Sequence, residues 1–217
     1  MTNYDQMKNL IEAFGDKYNQ HICMESSLSI VSEDKDNSKN TGEVQLVYNG
    51  KADMSIIDMD EIAHKMYRVI RNPDSKKDDE SLASADAFVI NSEDIWYFIE
   101  FKNQKISKAK DSVTKKAYQN WFWLVDILYE MSEKNNMKYD TFNYDNPISF
   151  AREKVVFILV VSEDKNIVDA DKMRKCILAG EKFQYDYIKK LEQYIFKEAY
   201  IYTPQLLETY FVKKFKY

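Results

Sequence analysis

Three charged residues stand inside two apolar segments, where an unpaired charge would be costly to bury. Asp86 opens the segment 85–91, and Glu100 and Lys102 close the segment 95–102. Side chains alternate along a strand, so Glu100 and Lys102 share one face. In a hairpin with a three-residue loop, Asp86 lies opposite Glu100, whereas a two-residue loop puts them on opposite faces. We predict the odd-length connection, or a bulge that restores the face.

Opposed carboxylates on one face would repel each other unless a positive group joins them. A divalent cation does this well, because Mg²⁺ takes hard oxygen ligands and keeps several waters for phosphate chemistry. Lys102 follows Glu100 by two residues on the same face, where it could hold a phosphate or a nucleophilic water. The three residues therefore indicate a metal and phosphate site.

The elements around these residues predict an α/β domain with a mixed central sheet flanked by helices. The run 153–161 is almost continuously apolar, which is typical of a central strand buried on both faces. The spacing of apolar residues predicts helices at 4–22, 59–71, 107–132, 170–181, 183–197 and after Thr203-Pro204, and strands at 26–31, 43–48, 85–91, 95–102, 153–161 and 198–203.

Asp86, a spacer, and Glu100-Phe101-Lys102 at the end of an apolar strand resemble the signature of the PD-(D/E)xK nuclease superfamily. This group includes many restriction endonucleases, Holliday-junction resolvases and RecB-like nucleases. The resemblance implies a restriction-endonuclease-like core over about 84–161, in which a helix precedes a three-stranded meander and a helix and a fourth strand follow. We expect residues 1–217 to form a single domain, with additional N-terminal helices and a C-terminal extension over about 165–217.

The resemblance also implies roles for the residues. Asp86, Glu100 and the main-chain carbonyl of Phe101 would hold Mg²⁺ or Mn²⁺, and Lys102 would orient water or stabilise the transition state. Residues 101–116 contain six lysines and one aspartate in a chain of net charge −5. The basic residues expected to contact the nucleic acid backbone are Lys105, Lys108, Lys110, Lys115 and Lys116.

The chain departs from the family pattern at two positions and leaves a third open. Ala85 stands where many members have proline before the first acid. Many members have a glutamate on the helix before the sheet, and Glu12 and Glu61 are both candidates for this third catalytic acid. RecB-like members carry a glutamine on the following helix, for which Gln119 is the candidate, and we expect it to contact the nucleic acid with the lysines. Trp123 replaces the tyrosine that follows this glutamine in those members.

Other acidic-x-Lys triplets are weaker signals. Those at 33–35 and 74–76 fall in segments expected to be polar loops, and the one at 163–165 has no acid on a preceding paired strand.

Histidines at 21 and 64 are too few for an HNH nuclease, and the chain has no Walker A or GxGxxG motif. Cys23 and Cys176 belong to no metal-binding pattern, so we expect separate thiols.

Two functions are compatible with these observations. The first is a metal-dependent nuclease, with DNA a more probable substrate than RNA. The second is a catalytically inactive binding module on the same fold, acting through a protein partner as an inhibitor, immunity factor or assembly subunit, or through a homodimer.

The longest apolar run falls well short of the roughly 20 residues that span a bilayer, and the N-terminus has no signal-peptide pattern. A cytoplasmic protein without a membrane contact is therefore expected.

Overall fold

The computed structural model describes residues 1–20, 24–35, 44–72 and 82–217, so that His21, Cys23 and the triplet at 74–76 lie outside the described residues. The described part of the chain contains eight strands in two sheets. The strands are β1 (Glu25–Ser27), β2 (Glu33–Lys35), β3 (Val44–Leu46), β4 (Ser55–Asp58), β5 (Ala87–Ile90), β6 (Trp96–Lys102), β7 (Val155–Val161) and β8 (Glu198–Tyr202).

The main sheet has six strands in the order β1-β4-β5-β6-β7-β8. Neighbours from β1 to β6 are antiparallel, and β6, β7 and β8 are parallel. All seven residues of β7 are buried, which explains why this strand is a continuous apolar run. The predicted α/β class with a mixed central sheet flanked by helices is confirmed.

Helices account for most of the rest of the described chain. They are α1 (Asn3–Lys17), α2 (Met59–Glu61), α3 (Arg68–Arg71), α4 (Lys110–Asn135), α5 (Pro147–Lys154), α6 (Ile167–Leu178), α7 (Asp186–Tyr194) and α8 (Pro204–Tyr210). A π-helical segment, Ile62–Tyr67, joins α2 to α3, so the predicted helix at 59–71 is continuous. The Thr203 hydroxyl accepts from the Leu206 amide and caps α8, as its Thr-Pro start predicts.

The two faces of β6 pack against different parts of the chain. Trp96, on the face shared with Glu100, contacts Trp121 of α4 with ring centroids 6.5 Å apart and Phe150 of α5 at 4.8 Å. Tyr97, on the other face, contacts Phe211 beyond α8 at 4.9 Å. The alternation predicted from sequence therefore separates two layers of helices, with α4 covering the face that carries the charged residues.

A three-residue turn fixes the pairing of β5 with β6. The Asn91 amide donates to the Ile95 carbonyl at 3.0 Å, so Ser92, Glu93 and Asp94 form the loop. Asp94 adopts a left-handed conformation with φ of 58°, as three-residue hairpin loops require at this position. The paired residues, from Ile90–Trp96 to Ala87–Ile99, keep the predicted register. The prediction of an odd-length connection is confirmed.

Several local predictions differ from the structure. The predicted strand at 26–31 is a three-residue β1 followed by a 3₁₀ turn at Ile30–Ser32, and β4 and α5 were not predicted. The triplet at 33–35 forms β2, which pairs with β3 in the small sheet, so its assignment to a polar loop was wrong. These elements are short, and their periodicity is too brief to distinguish them from loops.

We predict that Asp94→Ala lowers the free energy of unfolding by about 2 to 4 kcal/mol. The buried Asp94 carboxylate accepts from the Trp96 indole at 3.2 Å and the Tyr139 hydroxyl at 2.7 Å, and both donors would lose their partner. Urea unfolding followed by tryptophan fluorescence measures this change. Glu93→Ala, in the same turn but exposed, is the matched control and should change the value by less than about 0.5 kcal/mol. Equal effects of the two substitutions would contradict the role given to Asp94.

Candidate active site

The Asp86 and Glu100 carboxylates lie on the same face of the sheet, where β5 begins and β6 ends. Asp86 directly precedes β5, and its amide donates to the Ile99 carbonyl at 3.1 Å. Its side-chain Oδ2 accepts from the Phe101 amide at 2.6 Å, which fixes the carboxylate beside β6. Glu100 lies within β6, and its side chain has no exposed surface. The sheet therefore brings together the two acids predicted to share a site.

Two lysines lie within ion-pair distance of these acids. Lys102 Nζ lies 2.5 Å from Glu100 Oε1, and Lys116 Nζ lies 2.9 Å from the same oxygen and 3.0 Å from Asp86 Oδ1. The side chains of Asp86, Lys102 and Lys116 are 14, 11 and 22% exposed. We call Asp86, Glu100, Lys102 and Lys116 the charge tetrad. Three of its side chains reach solvent, and that of Lys116 has the largest exposed fraction.

Helix α4 positions Lys116 through hydrogen bonds to the segment that leads into β5. Asn120 Oδ1 accepts from the Ala85 amide at 3.1 Å, and the Trp123 indole donates to the Ala83 carbonyl at 3.4 Å. Lys116, Asn120 and Trp123 follow one another at helical spacing, so they project from the same side of α4. The same contacts that fix the start of β5 thus place the Lys116 ammonium between the two acids.

Burial and the neighbouring Glu100 carboxylate raise the pKa of Asp86 to about 8. The ammonium groups of Lys116 and Lys102 and the Phe101 amide oppose this rise. The pKa of Lys116 is also raised, because the attraction of Glu100 and Asp86 outweighs the desolvation of its ammonium. The raised pKa therefore favours the protonated form of Asp86 at neutral pH in the metal-free protein.

The residues predicted to contact nucleic acid occupy different environments. Lys116 belongs to the charge tetrad. Gln119 Oε1 accepts from the Ala83 amide at 3.1 Å, so this side chain helps to hold the approach to β5. The remaining predicted lysines are exposed on the segment between β6 and the first turns of α4, namely Lys105, Lys108, Lys110 and Lys115.

Neither predicted helix glutamate is in contact with the charge tetrad among the described interactions. Glu61 forms an ion pair with Lys65 at 2.6 Å, and Glu12 exerts its electrostatic effect on Lys8 and Tyr4 of the same helix. The acid of α2 that approaches the site is Asp60, which accepts a hydrogen bond from the Ser84 hydroxyl and raises the pKa of Lys116.

Sequence reasoning did not identify Lys116 as a partner of the acids or Asn120 as a support. Asn120 is completely buried on the inner side of α4, where most neighbours are apolar. A buried amide needs a hydrogen-bonding partner, so an asparagine at an inward position was the available signal. Its Oδ1 has such a partner in the Ala85 amide.

A divalent cation fits the chemistry of the two carboxylates. Mg²⁺ is often held by one or two carboxylates together with waters and substrate phosphates, and it does not need a cage of protein ligands. In the described chain, no group of three or more His, Cys, Asp or Glu side chains could hold a metal ion. Glu100 Oε2 is buried and has no hydrogen-bonding partner in that part of the chain, so one hard oxygen is available.

Comparisons with protein-family models, with curated proteins and with solved structures find no match to this chain. Within the described ranges, no helix has both the length and the apolar character needed to cross a bilayer.

We predict that the contribution of Asp86 to the stability of the metal-free protein falls as the pH rises from about 4 to about 8. Asp86 holds its proton up to about pH 8 when folded, but only to about pH 4 when unfolded, so protonation favours the folded state in this interval. Asp86→Asn should remove this contribution. The measurement is urea unfolding of both proteins at pH 5, 7 and 9 in EDTA.

Burial also raises the pKa of Asp58, but Asp58 is present in both proteins, so its effect cancels in the difference between them. The free energy of unfolding of wild type relative to Asp86→Asn should fall with pH and become constant above about 8. A difference that does not change with pH would contradict the raised pKa.

Proposed function

We propose that this chain is a metal-dependent phosphodiesterase that cleaves nucleic acid, with DNA the favoured substrate. The observation that carries the proposal is that Asp86, Glu100 and Lys102 converge on one face at the ends of two paired strands. Paired acids and an ammonium in one place are the groups that phosphoryl-transfer chemistry needs.

The order of elements supports a restriction-endonuclease-like core. Strands β4, β5 and β6 are antiparallel neighbours, α4 follows, and β7 returns parallel to β6. This is the order that the resemblance to the PD-(D/E)xK superfamily implies. Helix α1 precedes these strands, and the segment 59–71 adds a helix between β4 and β5.

The roles of the residues follow from their positions. Asp86 and Glu100 would hold Mg²⁺ or Mn²⁺, with the Phe101 carbonyl as a possible main-chain ligand. The bound cation would neutralise charge on the phosphate and acidify a water molecule. Lys102 would donate to the attacking water or to a phosphate oxygen, because its ammonium lies beside Glu100 and is partly exposed.

The substrate would be recognised mainly through its phosphates. The exposed lysines at 105, 108, 110 and 115 lie between the end of β6 and the second turn of α4. Phosphate contacts position a nucleic acid without selecting its sequence. The chain as a whole is acidic, with a net charge of −5, so we propose low sequence selectivity or targeting by a protein partner.

The prediction is cleavage of plasmid, linear duplex or single-stranded DNA with Mg²⁺ or Mn²⁺ and none with EDTA. Lys102→Met should lower the rate by about 100-fold or more, because it removes a donor to the transition state. Asp86→Asn and Glu100→Gln should abolish metal-dependent cleavage. The measurement is a time course of product formation on gels.

Lys115→Met is the matched control for Lys102→Met. It makes the same change at a lysine that is exposed and outside the charge tetrad. It should weaken DNA binding and make that binding less dependent on salt while leaving the maximal rate nearly unchanged. Cleavage that survives substitution of Asp86 and Lys102 would assign the activity to another site or to a contaminant.

A binding module is the second candidate, and one observation favours it. With all four groups ionised, the charge tetrad is neutral without a metal, and Glu100 is fully covered. A protein that retained the fold and lost catalysis could keep these ion pairs for stability alone. Absence of cleavage on every substrate, together with absence of Mn²⁺ binding, would favour this function over the nuclease.

A further inference from the structure

The side chain of Lys116 contacts both acids of the charge tetrad. Its Nζ is 3.0 Å from Asp86 Oδ1 and 2.9 Å from Glu100 Oε1, so the ammonium bridges the two carboxylates. Lys102, by contrast, forms its ion pair with Glu100. The bridging position between two acids is the one that a divalent cation would need.

We propose that Lys116 is an internal, displaceable counter-ion of the acid pair, and that it must leave this pair for a divalent cation to bind there. This inference rests on the proposed function, because it concerns the same metal site. Lys116 thereby competes with the metal for the two acids and sets the affinity of the site for metal.

Charge explains why the ammonium and the metal exclude each other. A carboxylate must be ionised to bind a metal, and with all four groups ionised the tetrad has no net charge. Adding a divalent cation while both lysines stay in place would then leave two uncompensated positive charges in a largely buried place. Such charges are expensive to bury. Release of Lys116 removes one of these two positive charges from the site. It also frees Asp86 Oδ1, which otherwise accepts from the Lys116 ammonium, to bind the cation.

The structure gives Lys116 a route out. Its side chain is 22% exposed, whereas that of Glu100 is not exposed at all. Its backbone is held by α4, which Asn120 and Trp123 bind to the segment before β5, so only the side chain has to move. The released ammonium stays near the site, where it can pair with a phosphate of the substrate.

The first test measures Mn²⁺ binding by calorimetry in wild type, Lys116→Met and Lys115→Met. Lys116→Met should bind Mn²⁺ about tenfold or more tightly than wild type, since the competing cation is absent. Lys115→Met, one residue away and exposed, should bind as wild type does. Equal or weaker binding by Lys116→Met would overturn the proposal.

A second measurement uses the wild-type protein, in case Lys116→Met does not fold. An amine-acylating reagent followed by peptide mass spectrometry reports how fast Lys116 is modified. An ammonium held between two carboxylates should react slowly, and saturating Mg²⁺ should increase its rate about fivefold or more, with Lys115 unchanged. No change at Lys116 when Mg²⁺ is bound would overturn the proposal.

The proposed function and the proposed role of Lys116 can be tested separately. Suppose Asp86→Asn abolishes both Mn²⁺ binding and cleavage, while Lys116→Met leaves affinity unchanged. The metal-dependent function would then stand, and the role of Lys116 would be wrong. If neither wild type nor Lys116→Met binds Mn²⁺, the proposed function fails, and the inference fails with it.

Discussion

The pairing of β5 with β6 is the constraint on which the rest of the site depends. The turn at 92–94 sets that register, and one residue of slip would send Asp86 to the opposite face from Glu100. The buried Asp94 carboxylate holds the turn through Trp96 and Tyr139, far along the strand from the charged end. Contacts that hold the turn therefore determine, through the register of β5 and β6, which residues face each other at the charged end of these strands.

The charge tetrad resolves a conflict between folding and binding. Two acids at the end of a buried strand would repel each other and oppose folding unless cations accompany them. Lys102 and Lys116 provide those cations within the chain. If the site binds a metal as proposed, breaking these ion pairs would add to the free-energy cost of metal binding. A site of this kind would stay stable when empty and would respond to metal concentration through the movement of one side chain.

The sequence was sufficient to predict the class of fold and the shared face of Asp86 and Glu100, because strand alternation and loop length are local rules. It was not sufficient to place Lys116, because its position depends on how α4 rotates and packs over the sheet. Lys116 was predicted to contact phosphate, and the structure puts it between the acids. Glu61 differs in the opposite way. It was a candidate third acid of the site on a correctly predicted helix, but its side chain forms an ion pair with Lys65. Short elements such as β4 have too few residues for a periodic signal.

We propose that Asp86 and Glu100 form one divalent-cation site that the Lys116 ammonium occupies when no metal is bound. Anomalous diffraction from crystals soaked in Mn²⁺ locates the cation and Lys116 in the same experiment. We expect a strong anomalous peak between the Asp86 and Glu100 carboxylates, with the Lys116 ammonium moved away from both. No peak there at saturating Mn²⁺, with Lys116 still bridging the two acids, would rule out this site.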